Sequence, residues 1–219
     1  MRGLVAAFCL MCGVAAFAAQ AAAEPASLLT RTPGASAYMR VFGPADPPYA
    51  FWHFCDEYPG DCAKKRNVEA RFEADATRMA ELETVNSSVN HSVEPVTDME
   101  LYGVSDYWTL PTKGKGDCED YALLKRHVLM EQGWPASALL MTVVLDERNE
   151  GHAVLTARTV AGDYVLDNKT DQITLWHKTP YHYVMRQSYL DPKSWVALDP
   201  AQSQPPVAIA GVGKSGDPR

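Results

Sequence analysis

The sequence predicts an α+β domain in which helices pack on one face of an antiparallel sheet. Three observations carry this. Two stretches with helical apolar spacing come first, short β-rich runs separated by turn residues follow, and the two kinds of segment do not alternate. Alternation would point to parallel βαβ units, whereas segregation points to hairpins.

The first helical stretch starts at about Asn67. Val68, Phe72, Ala76, Met79, Leu82, Val85 and Val89 recur three or four residues apart and form one apolar stripe. Pro95 closes it. Residues 98–115 read as a loop anchored by Tyr102, Tyr107 and Trp108, with Lys113-Gly114-Lys115-Gly116 as a flexible approach. Asp117 is an N-cap candidate for a second helix that runs to Gly133, its C-cap, before Trp134-Pro135. The run ALLMTVVL (138–145) is apolar and β-branched, as a buried strand requires. Residues 146–151 form a turn, HAVLTAR (152–158) a second strand, and Ala161-Gly162-Asp163 leads into a third at 164–167. Residues 181–186 and 194–197 add strands. Residues 24–50, rich in Pro, Gly and Ala, read as an irregular lead-in, and 200–219 as a disordered tail.

The chain begins with a segment that is not fold. Arg2 precedes the apolar stretch 4–19, and Ala21-Ala22-Ala23 gives an A-x-A pattern before Glu24-Pro25. This predicts a secretory signal peptide over 1–23, cleaved after Ala23, and one domain over 24–199. Cleavage removes one arginine and no acid, so the net charge of −7 becomes −8. An acidic balance excludes nucleic acid as the main partner and suits a divalent cation. Cys9 and Cys12 leave with the signal. Cys55 and Cys62 could close a small loop in an oxidising compartment, which leaves Cys118 over.

Cys118 stands in GDCEDYALL, at the first turn of the second helix, where free N–H groups and the helix dipole favour a thiolate. Its neighbours Asp117, Glu119 and Asp120 oppose that ionisation. His152 starts the second strand and Asp167 ends the third, so a hairpin sets the two at a similar level. Thiol, imidazole and carboxylate in this order are what nucleophilic catalysis needs: one attacks, one takes the proton, one orients the base.

GDCEDYALLKRHVLMEQGWP, EGHAVLTAR and DYVLDNKTD, with the upstream VNSSVNHSVEPVTDMELYGVSDYWTLPTKGKGDCED, resemble the bacterial transglutaminase-like cysteine proteinase family. The similarity covers roughly residues 85–171. It implies a papain-like, transglutaminase-like core with Cys118 as nucleophile, His152 as base and Asp167 as orienting carboxylate. It also implies calcium held by Asp117, Glu119 and Asp120, a periplasmic location, and a protein substrate such as a large surface adhesin. In relatives an inner-membrane receptor for a cyclic dinucleotide captures the protease. The segment 54–62 has no counterpart in that resemblance.

Two other readings share these residues. A transglutaminase-type acyl transferase would pass the same thioester to an amine, and a binding domain on this fold would not use the thiol at all. Trp108 could line the cleft or assist an oxyanion, but an aromatic in such a loop is more often an anchor. Cys118, His127 and His152 lack zinc-ligand spacing. His53, His91, His177 and His182 show no partner pattern.

Overall fold

The computed structural model describes residues 36–64 and 68–203. The expected signal peptide, Asn67 and the tail beyond Ser203 lie outside the described residues. In chain order the elements are β1 (Gly43–Ala45), α1 (Tyr49–Glu57), α2 (Ala76–Ser92), β2 (Glu94–Pro95), α3 (Asp98–Tyr102), β3 (Lys115–Gly116), α4 (Cys118–Glu131), β4 (Leu139–Leu145), β5 (Gly151–Thr159), β6 (Gly162–Asp167), β7 (Thr170–Leu175), β8 (His182–Gln187) and β9 (Trp195–Ala197). Seven strands form one antiparallel sheet in the order β1-β9-β8-β4-β5-β6-β7. The α+β class with helices on an antiparallel sheet is therefore what the chain adopts. Among the described residues no helix is long and apolar enough to cross a membrane.

The central strands β4 and β5 are buried along almost their whole length, because both sheet faces are covered. On one face α2 and α4 pack Leu82, Val85, Leu123 and Leu129 against Leu139, Met141, Leu155 and Leu166. On the other, Met39 from the segment before β1 joins Val144, Val154, Val165, Tyr183 and Leu198. Alternate residues of one strand thus feed two cores, which is why ALLMTVVL carries no polar–apolar alternation.

Helix α4 keeps its expected bounds. Gly133, at φ 90°, takes the left-handed position after the last turn; its N–H donates to Met130 O and that of Trp134 to Leu129 O. Helix α2 is shorter than the apolar spacing predicts. It starts at Ala76, because the Asp75 carboxylate accepts the Arg78 N–H at 2.9 Å and caps it there. Phe72 is not helical: it bridges to Thr159 and packs its ring on Trp134, 4.6 Å between centroids. Its place in the spacing is coincidental.

Six elements go unpredicted, among them the two-residue strands β2 and β3. Helix α1 has no side-chain cap and lies in the stretch read as irregular and just beyond it. Helix α3 sits in the expected loop, closed by a capping box between Thr97 and Glu100. Strand β1 is three residues long, and β7 is a polar edge strand.

Cys55 and Cys62 form a disulfide that ties α1 to the turn after it. Both are buried, in the core that also holds Phe51, Trp108 and Trp195. The Phe51 ring meets Trp108 edge-on at 5.7 Å and Trp195 at 5.3 Å, so the bridged helix braces one aromatic wall. Changing both cysteines to serine is expected to cost about 2–3 kcal/mol, the loop-closure value for a loop this short. Chemical denaturation checks it; unchanged stability would mean the bridge contributes nothing.

Candidate active site

Strand pairing decides which side chains meet. The β5–β6 hairpin brings His152 and Asp167 together, and Nε2 of the imidazole lies 2.9 Å from Asp167 Oδ1. Both residues are buried. With Nε2 occupied, Nδ1 is the nitrogen left for a reacting group. Asp167 Oδ1 also accepts the Lys169 N–H at 3.0 Å, and Oδ2 accepts the Tyr181 hydroxyl. Burial pushes the Asp167 carboxyl up, but the bonds from His152 and Tyr181 outweigh it and leave the group below its ordinary value. Two turns are clamped beside this pair, since Lys169 Nζ reaches Asp146 Oδ2 at 2.7 Å. Asp146 in turn accepts the N–H groups of Arg148 and Glu150, which shapes the turn before His152.

Cys118 opens α4, partly exposed and the one free cysteine among the described residues. It lines a cleft of roughly 350 Å³ with Trp108, Asp117, Glu119, Val143 and His152. Ala153 on β5, next to His152, lines the same cleft. The Cys118 thiol donates to Glu119 Oε2 at 3.1 Å. Burial, and then the Glu119 carboxylate, push the thiol well above its usual range, while the Ala153 N–H pulls the other way. Burial first, and then the carboxylates, win over the helix start.

The acids form a larger group than the sequence suggests. The short parallel pair β2–β3 lays residues 94–96 beside 114–116, with Val96 N–H on Gly116 O at 3.0 Å. Asp98 thereby lands beside Asp117, whose Oδ2 accepts the Asp98 N–H at 3.2 Å. Asp117 occupies the N-cap position of α4 but makes no side-chain cap bond; its carboxylate turns toward the other acids instead. Asp98, Asp117 and Asp120 form one group of converging carboxylates, and Asp98, Asp106 and Glu119 a second. Asp98 and Asp106 were not among the expected ligands, because nothing in their local spacing marks them.

Three buried oxygens in this cluster, Asp98 Oδ1, Asp117 Oδ1 and Asp120 Oδ2, have no hydrogen-bond partner among the described residues. Burial, reinforced by Asp117, raises the Glu119 carboxyl to about 10 and that of Asp120 to about 8. Gly116 leaves room for them: a Cβ there would stand 2.7 Å from Asp120 Cβ. Converging carboxylate oxygens, three of them buried without partners among the described residues, in a cradle kept open by a glycine, suit a hard divalent cation that displaces the protons they hold.

Trp108 is buried and its indole N–H is spent on Asp106 Oδ1 at 2.9 Å, so it walls the cleft rather than aiming a donor into it. His127 pairs with Asp61 and Glu131, and His182 with Asp199; neither approaches Cys118's cleft. Tyr181 is the component the sequence hides, since it joins Asp167 only when the chain returns before β8.

The family described as bacterial transglutaminase-like cysteine proteinase, BTLCP, matches residues 41–203. No curated protein matches. Among solved structures the chain is similar to Legionella pneumophila LapG at 29% identity, over 52% of this chain and 65% of that one, with a TM-score of 0.44. The calcium-bound form of that protein is 25% identical over 63% and 77% of the two chains, TM-score 0.48. The EGTA-treated form is 28% identical over 57% and 69%, TM-score 0.46.

Proposed function

The chain belongs to the bacterial transglutaminase-like cysteine proteinase family, and from that premise we propose that it is a calcium-dependent cysteine endopeptidase acting on a surface or secreted protein of the adhesin class. The observation that carries this reading is one cleft shared by a helix-start thiol and an imidazole already paired to a buried carboxylate.

The chemistry follows from that arrangement. Cys118 sulfur attacks the scissile carbonyl carbon, and its proton passes to His152 Nδ1. The imidazolium so formed is held by Asp167, which is ionised and also accepts from the Lys169 N–H and the Tyr181 hydroxyl. The carbonyl oxygen gains negative charge beside the Cys118 backbone N–H, at the positive end of α4. His152 then hands its proton to the leaving amine, and water completes hydrolysis of the thioester. Asp98, Asp117, Glu119 and Asp120, with Asp106 at the exposed edge, would hold the calcium ion. When bound it supplies positive charge next to the thiol and fixes the turn that carries it. Export to the periplasm and capture by an inner-membrane cyclic-dinucleotide receptor belong to the same proposal, by family resemblance.

New protein N-termini at the cell surface and in the medium, compared between wild type and Cys118→Ala, test the reading. A cut made only with the intact thiol is the expected result. Identical N-termini with both proteins exported would count against proteolysis. Tyr181→Phe should slow turnover roughly tenfold, since it removes one hydrogen bond to a buried charge. A kcat unchanged in that variant would mean Asp167 does not depend on the hydroxyl.

A further inference from the structure

Lys125 lies on α4, two turns after Cys118 and on the same side of the helix. Its side chain is wholly buried, yet Nζ has no hydrogen-bond acceptor among the described residues. A buried ammonium without a partner is costly and calls for a compensating charge. On its own helix its Nζ stands 5.9 Å from the centroid of the Tyr121 ring. The negative charges that act on it are Asp167, the last residue of β6, and Asp171, the second of β7. Burial lowers the ammonium to about 7.

Helix α2 packs against both α4 and this hairpin. It presents Asn86 and Asn90 there, and His91 reaches Asp171 only at the surface, at 3.7 Å. Asn90 Nδ2 donates to Asp167 O at 3.0 Å, to Thr170 O at 3.1 Å and to Asp171 Oδ1 at 3.0 Å. Asn86 Nδ2 donates to Thr170 O at 2.9 Å and Asp171 O at 3.0 Å. The amide nitrogens are thus committed to the turn, while both amide oxygens are buried without a donor among the described residues. Unused acceptors on α2 and unused donors on α4 flank one turn, the turn that begins with Asp167.

We propose that Lys125 is a positioning residue for the His152–Asp167 pair. Asn86 and Asn90 tie the 167–171 segment to α2, and the Lys125 charge, acting through space, keeps Asp167 charged and aimed at His152. This rests on the catalytic reading of that pair, but its test does not depend on turnover.

The test compares wild type with Lys125→Met and Lys125→Arg, after thermal melts establish that each is folded. Asp167 is titrated by carboxyl carbon NMR, and Cys118 is alkylated with iodoacetamide across pH. Lys125→Met should move the Asp167 titration to higher pH. It should also slow alkylation at pH 7 roughly tenfold, the effect of one charge at ~10 Å in a medium of effective dielectric ~20. Lys125→Arg, which keeps the charge, should restore both towards wild type. Because methionine relieves a buried charge, Lys125→Met should melt no lower than wild type. An unchanged Asp167 titration in folded Lys125→Met would overturn the proposal, whatever its stability. If wild type cuts no protein while the titration moves, the proteinase reading fails and the positioning role stands.

Discussion

Calcium added to protein stripped with EGTA is expected to raise its melting temperature by about 5–10 °C at pH 8. A hundredfold excess over Kd contributes about 2.7 kcal/mol, and each kcal/mol moves a domain of this size by about 2–4 °C. The pH dependence has a definite sign. Glu119 and Asp120 sit at about 10 and about 8 in the fold, above unfolded carboxylates near 4. The folded chain therefore keeps protons that the unfolded chain has released. Without calcium, stability falls as pH climbs from about 4 towards 8–10. Calcium competes with those protons, so its increment should grow over the same window and be small at pH 5. Asp120→Asn separates the two contributions. The amide keeps an oxygen for the Thr109 N–H, which Asp120 now accepts at 3.0 Å, and removes a buried charge. It should melt higher than wild type in EGTA and lose most of the calcium gain. Equal melting temperatures with and without calcium at pH 8 would rule out the cation site.

The second large effect belongs to Asp167. Asp167→Asn should lower kcat by up to about 10,000-fold, because an amide can hold the wrong imidazole tautomer and leaves no charge to balance imidazolium. The fold should survive, since the bond from Asn90 Nδ2 to the residue-167 backbone carbonyl remains. His152→Ala removes the proton acceptor itself and should cost between about 100- and 10,000-fold. Rates of peptide cleavage measured beside thermal melts decide this. A folded Asp167→Asn protein with near-normal kcat would show that the pairing with His152 serves structure alone.

What could be read from the chain depended on how local the cause was. Helix α4 was legible because Asp117 and Gly133 mark its two ends and both lie within it or next to it. Cys118, His152 and Asp167 were legible as a set because one helix start and one hairpin are enough to place them. Asp98 was not: it reaches Asp117 through a two-residue parallel pairing that no pattern in either segment announces. Tyr181 meets Asp167 only after β7 has carried the chain out and back. The early start given to α2 failed for the opposite reason. Phe72 fits the helical spacing, but a carboxylate cap at Asp75 and a partner on β5 outweigh periodicity. The acid cluster also reverses a bland local reading, because Asp117 holds the N-cap position without doing the capping.

The bridged helix α1 has a consequence for timing. Its cysteines brace Phe51, and Phe51 braces the tryptophan that walls the cleft. Inside a reducing cell interior those two sulfurs would stay apart and the wall would be looser. Should the chain leave that interior, the groove would gain its final firmness only on arrival among oxidants. If the proposed hydrolase activity holds, newly made copies would cut their surroundings poorly until the bridge has formed.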